Sequence, residues 1–242
     1  MACTGMACTR TGNTTMNMLG GTRFIGGLVR TPHDLRFRAA RPMKAASKII
    51  PGAWDNRQIL TPVQDQGANP RCVAEAMSLL IRSIAWREFH EIRDYPAKPL
   101  YDKCKDIDGN HEPGTSFTSA FQAAIELGYI PVESKAYGLF NVADVHMATH
   151  EFGACLVGLD VTEAWNTVGS DGWIHEDGGA VLGGHAILHH GWDTAGVDFE
   201  AMRNSWGEWG AKGNGRMRVA DFLRRFLDGM AVEIPTVTGK GW

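Results

Sequence analysis

Val63-Gln64-Asp65-Gln66-Gly67-Ala68-Asn69-Pro70-Arg71-Cys72 sets a glutamine six residues ahead of a cysteine across a Gly/Asn/Pro turn, and an apolar helical pattern follows at once. Val73, Ala76, Met77, Leu80, Ile81 and Ile84 recur at three- and four-residue spacing, which predicts a buried helix of about four turns with Cys72 at its start. First-turn N–H groups and the helix dipole favour a thiolate there, so Cys72 is expected to be a better nucleophile than an average cysteine. Gln66 can reach the same site.

Length and composition bound the answer. With 242 residues and 44% hydrophobic content the chain can bury a sizeable core, as one large domain or two lobes sharing a cleft. The net charge of −3 hides an asymmetry: residues 1–50 carry eight Lys/Arg against Asp34 alone, so the remainder holds about −10. No apolar run is long enough to cross a bilayer and no secretory leader opens the chain, which predicts a soluble protein without membrane partners. Cys3, Cys8, Cys72, Cys104 and Cys155 lack the paired spacing of a zinc site or a disulfide framework, which points to a reducing intracellular compartment.

Residues 1–22 begin with the near-duplicated Met1-Ala2-Cys3-Thr4 and Met6-Ala7-Cys8-Thr9 and are expected to be disordered. Gly20-Gly21 and Gly26-Gly27 lack the lysine and hydroxyl of a phosphate loop. Residues 1–49 read as a basic, flexible extension or pro-segment, with Arg30 to Lys48 docking on the acidic folded part. The folded domain, 50–242, divides into a helical lobe at about 66–150 and a β-rich lobe at about 151–235 plus 50–65. Helices are expected at Ser116–Leu127, closed by Gly128, and at Ala143–His150; the runs at 154–161, 180–182, 186–188, 199–202 and 216–219 read as strands. Helices first and strands later predict an α+β protein with its site at the lobe boundary.

Two partners for Cys72 stand in the strand-rich half: His185 in Gly183-Gly184-His185-Ala186, and Asn204 in Met202-Arg203-Asn204-Ser205-Trp206-Gly207. In the order Gln, Cys, His, Asn, with Trp54-Asp55, Thr61-Pro62-Val63 and Trp209-Gly210 around them, residues 50–233 resemble the papain-like cysteine peptidases. Without the usual cysteines they look closer to bacterial and viral disulfide-free members than to lysosomal cathepsins. The resemblance implies a two-lobed fold with a helical lobe and a β-barrel-like lobe. It implies Cys72 as nucleophile, His185 as base and acid, Asn204 as the residue orienting the imidazole, and Gln66 as an oxyanion donor. It also implies substrate contacts at Gly114, Thr115, Ser116 and Gly184, with Trp206 shielding the His185–Asn204 bond.

Arg71 and Val73 depart from the small and aromatic residues usual beside the nucleophile, and only Glu208 separates Gly207 from Trp209. The expected partner is a polypeptide substrate. Rival readings are a thiol acyltransferase or amidase acting on a non-protein amide, and a silent binding protein of the same fold. His146 and His150 have helical spacing without a zinc peptidase's intervening Glu, so no metal is expected. No other cofactor is implied, and the acidic folded part argues against nucleic acid.

Overall fold

The structure is a computed structural model and describes residues 14–18, 21–25, 27–29, 49–176 and 178–235. Helix α1 (Cys72–Phe89) begins at the cysteine and is buried on nearly every side, from Val73 to Ala85. It ends at His90, whose φ of 54° is left-handed. Helices α2 (Ala97–Asp108) and α3 (Phe117–Glu126) pack on α1 and on each other. Ser116 caps α3 by accepting from the Ser119 N–H, and Gly128 leaves it with φ of 69°.

The second half is an antiparallel sheet. It contains β4 (Lys135–Gly138), β5 (Cys155–Val161), β6 (Gly183–Asp193), β7 (Phe199–Arg203), β8 (Asn214–Arg218) and β9 (Phe226–Glu233), in the order β4-β9-β5-β6-β7-β8. Strand β3 (Ala53–Asp55) pairs with the far end of β6, so the entry to the folded part is stitched into the β-rich half. Helices α4 (Val142–Phe152) and α5 (Val219–Arg225) pack against this sheet.

Strand alternation sorts the core into two layers. Leu156, Ala186, Leu188, Met230 and Val232 join the α1–α3 cluster, whereas Val157, Leu159, Ile187 and Ala231 join a second one with Trp165, Trp206 and Phe222. Covered on both faces, β5 reads as a continuous apolar run rather than an alternating one, which is why 154–161 was legible as a strand without a polar period.

Three expectations change. Ala180 to Leu182 lies outside any strand, and β6 begins at Gly183 and runs eleven residues. Val219 opens α5 instead of ending a strand. Thr14–Met18 (β1) and Gly21–Ile25 (β2) form an antiparallel hairpin where disorder was expected, Thr14 pairing with Ile25. Residues 1–13 and 30–48, including the basic Arg30 to Lys48 segment, lie outside the described residues.

Candidate active site

Cys72 sits at the first position of α1, fully buried, with Arg71 as the N-cap residue. β6 passes beside it, because the Ala186 backbone hydrogen-bonds the Cys72 sulfur. His185, the neighbour of Ala186, turns to the opposite layer. Its Nε2 lies 2.8 Å from Asn204 Oδ1, and its ring lies 4.7 Å from Trp206 and 6.1 Å from Trp165.

The Ser205 N–H also donates to Asn204 Oδ1 at 2.8 Å, so that atom must be the amide oxygen and His185 must carry its proton on Nε2. His185 Nδ1 is buried without a protein partner and is therefore an available acceptor. The Asn204 bond orients the ring, and the aromatic wall keeps water from it.

The short loop after Asn204 is well closed. Gly207 N–H donates to Gln64 O at 3.0 Å, Asn204 N–H to Gly213 O at 2.8 Å, and Trp209 Nε1–H to Trp165 O at 2.8 Å. Gly207 takes φ of 62°, and a Cβ there would meet the Asp65 carboxylate at 3.0 Å. Arg71 does not face the thiol as a free charge: its Nε lies 2.6 Å from Glu75 Oε1, and Glu75 is buried.

Gln66 is also buried, its amide oxygen accepting from Ser205 Oγ at 2.7 Å and its Nε2 donating to Asn69 O at 2.8 Å. Gln66 is thus joined to Ser205, and His185 to Asn204 and Trp206, while Cys72 meets the same strand at Ala186, one residue from His185. A bridge between Asp65 and Trp206 ties the two ends of the site together.

Residues 27–29 occupy the cleft, which the sequence reading missed. Thr115 N–H donates to Gly27 O at 2.8 Å, Val29 N–H to Thr115 O at 2.9 Å, and Leu28 N–H to Gly184 O at 3.4 Å. The Leu28–Thr115 pairing is parallel. Gly27 backbone also hydrogen-bonds the Cys72 sulfur. A Cβ on Gly27 would stand 2.4 Å from Pro70 O and 3.1 Å from Cys72 Sγ, so only glycine fits. The Leu28 side chain lies over Gly158, where a Cβ would come within 2.2 Å of it.

Gly114 has φ of 88° and is fixed by Tyr101 Oη, which accepts from its N–H at 3.1 Å, and by Lys105 Nζ, which donates to its carbonyl at 2.9 Å. Of the expected substrate contacts, Gly114, Thr115 and Gly184 line this strap of chain, and Ser116 serves as the cap of α3. Gly26-Gly27 between Ile25 and Leu28-Val29 was the available signal: a small, uncharged stretch able to approach a backbone closely.

Closure governs the ionisation. Burial pushes the Cys72 thiol up to about 11, against the opposing backbone hydrogen bonds of Ala186, Val73 and Gly27. Burial likewise lowers His185 to about 4, the Asn204 bond working the other way. Burial at both groups therefore works against the thiolate expected at the helix start.

His189 and His190 on the same strand are also held below their usual range by burial. Their partners are Glu200 at 2.8 Å and Asp55 at 3.6 Å. Burial opposes ionisation of Glu200, but the His146 and His189 imidazoles hold its carboxyl below the usual range. Among the described residues no cluster of three or more His, Cys, Asp or Glu is arranged to hold a metal ion, and no helix is long and apolar enough to cross a membrane.

A pH dependence of stability follows. A histidine with a depressed folded pKa contributes stability present above its unfolded value near 6.5 and lost as pH falls towards the folded value. For His185 that window runs from about 6.5 to about 4, at about 1.4 kcal/mol per unit, or about 3 kcal/mol in all. His189 and His190 act in the same direction from about 6.5 downward, and Glu200 adds to the loss only below its unfolded value near 4.5. Thermal melts between pH 7.5 and pH 4.5 should show a fall of about 5–10 °C, beginning near pH 6.5. A melting temperature unchanged down to pH 4.5 would contradict neutral burial of these side chains.

Known structures agree with this architecture, although no family model and no curated protein matches the sequence. The digestive procathepsin L 3 of Tenebrio molitor larval midgut aligns with TM-score 0.65 and 17% identity over 80% of this chain and 73% of that one. Xylellain, a cysteine protease from Xylella fastidiosa, aligns with TM-score 0.69 and 17% identity over 87% and 96%. ProCathepsin B S9 from Trypanosoma congolense aligns with TM-score 0.68 and 15% identity over 88% and 87%. The chain has the two-lobed α+β fold of the papain-like cysteine proteases.

Proposed function

We propose that this chain is a thiol peptidase that hydrolyses polypeptides through Cys72, His185 and Asn204. The observation that carries the reading is the strap itself: the cleft beside Cys72 holds an extended stretch of polypeptide by backbone hydrogen bonds to Thr115 and Gly184. A cleft for a small non-protein amide has no need of such edges.

With the strap displaced, water enters, the burial penalty on both ions falls, and the Cys72 proton passes to His185 Nδ1. The thiolate attacks the peptide carbonyl carbon and forms a C–S bond. The oxyanion is held by the Gln66 amide and the Cys72 backbone N–H. His185 then protonates the leaving nitrogen as the C–N bond breaks. A water, deprotonated by His185, hydrolyses the thioester and restores the thiol. Asn204 orients the imidazole without competing for its proton.

The N-terminal extension through residue 49 acts as a docked pro-segment, with Gly27–Val29 as its plug. Two of the structures named above are of pro-forms by name, which is consistent with this. Cys72, Cys104 and Cys155 are free thiols, which fits a reducing intracellular compartment and kinship with disulfide-free members of the fold.

Mixing the chain with short peptide esters, quenching in acid and weighing the protein tests the reading. An acyl adduct on Cys72 and amide hydrolysis of the matching peptide are expected. Acylation followed by transfer to an added amine instead of water would identify an acyltransferase, and no adduct after strap removal would identify a silent binder.

A further inference from the structure

Resting on the peptidase reading, we infer that Asn69 and Ser205 are positioning residues that clamp Gln66 and decide which end of its amide faces Cys72. Five hydrogen bonds converge on this one glutamine. Ser205 accepts the Gln66 N–H on its carbonyl at 2.9 Å and donates its hydroxyl to Gln66 Oε1 at 2.7 Å. Asn69 donates its backbone N–H at 3.3 Å and its Nδ2 at 3.0 Å to Gln66 O, and accepts from Gln66 Nε2 on its own carbonyl at 2.8 Å.

A primary amide has two N–H donors and an oxygen, and a 180° flip exchanges them. Here a flip would set Gln66 Oε1 against Asn69 O, two acceptors facing each other. The clamp therefore holds the NH2 group on the Asn69 side, with one N–H bound there and the other left for the site. The turn needs Asn69 for this. Gly67 takes φ of 58° to begin it, and the Asn69 side chain closes the loop that brings its carbonyl under Gln66. Ser205 adds the second jaw from the β-rich half, next to Asn204, so the oxyanion donor and the imidazole-orienting residue hang from one backbone segment.

The test is a double-mutant cycle in the Gly27→Ala protein, in which the added methyl group is expected to open the cleft. Asn69→Asp replaces Nδ2–H with an oxygen facing Gln66 O, and Ser205→Ala leaves Gln66 Oε1 without its donor. Each should lower kcat about tenfold with KM within twofold, because an oxyanion donor acts mainly in the transition state. In a Gln66→Ala background the same changes should cost less than twofold, and iodoacetamide should alkylate Cys72 at the parental rate throughout. Equal losses with and without Gln66, slowed alkylation, or unchanged kcat would overturn the clamp. Absence of turnover in the Gly27→Ala parent would instead overturn the peptidase reading on which the clamp rests.

Discussion

Cys72→Ala is expected to abolish peptide hydrolysis while leaving the melting temperature within a few degrees of the parent. On the proposed mechanism the thiol of Cys72 carries the covalent chemistry, and the other described cysteines are poor substitutes: Cys104 and Cys155 are buried, and burial pushes both thiols up to about 12. His185→Ala should approach the same loss, since on the proposed mechanism its partner-free Nδ1 takes up and returns the travelling proton. Gln66→Ala should lower turnover on the order of 10²–10³. Asn204→Ala should cost less than His185→Ala, because the aromatic wall still confines the ring. Near-normal hydrolysis by His185→Ala would move the base elsewhere, with exposed His175 beside Trp173 the next to test.

Opening the cleft should have the second-largest effect, in the opposite direction. Three backbone hydrogen bonds from the strap to Thr115 and Gly184, at about 1 kcal/mol each, amount to a restraint on the order of 10² in accessibility. Gly27→Ala adds a methyl group 2.4 Å from Pro70 O, and neither backbone can yield without breaking the Thr115 ladder. Activity on a small peptide substrate should rise by about that factor, and deleting residues 1–49 should reproduce the gain. These contacts are backbone bonds and apolar burial, so most of the activation should persist in high salt. A charge-driven docking of Arg30 to Lys48 would instead lose its effect as screening shortens. Identical kinetics for parent, Gly27→Ala and the deletion would mean that the strap does not restrain the enzyme.

Much of this could be read from the chain because its strongest signals are local. Cys72 followed by apolar residues at helical spacing gives α1 its register, and Ser116 and Gly128 bracket α3 by capping chemistry that needs no tertiary information. His185 and Asn204 were legible through their short glycine- and tryptophan-marked strings, whose order suits one site. Other parts depend on contacts distant in sequence. Helix α2 is amphipathic but mostly charged on its outer face, and β4 is four residues long and exists through its pairing with β9. Val219 could serve equally as a strand end or a helix start. The ionisation of the site was misjudged for the same reason: a helix start argues for a thiolate, whereas the covering Gly27, distant in sequence, removes the water that a thiolate needs. Trp165 gave no sign that it would wall in His185, since its packing depends on Trp206 and Trp209.

The central claim is that a nucleophilic Cys72 lies beneath a removable strap, and titration with a thiol-directed peptide electrophile tests it most directly. In the Gly27→Ala protein one equivalent should attach to Cys72, with Cys104 and Cys155 unlabelled after peptide mapping. His185→Ala should suppress the reaction, and the parent should label on the order of 10² more slowly. Labelling spread evenly over the cysteines, or a Cys72 that stays unreactive with the strap displaced, would contradict the account.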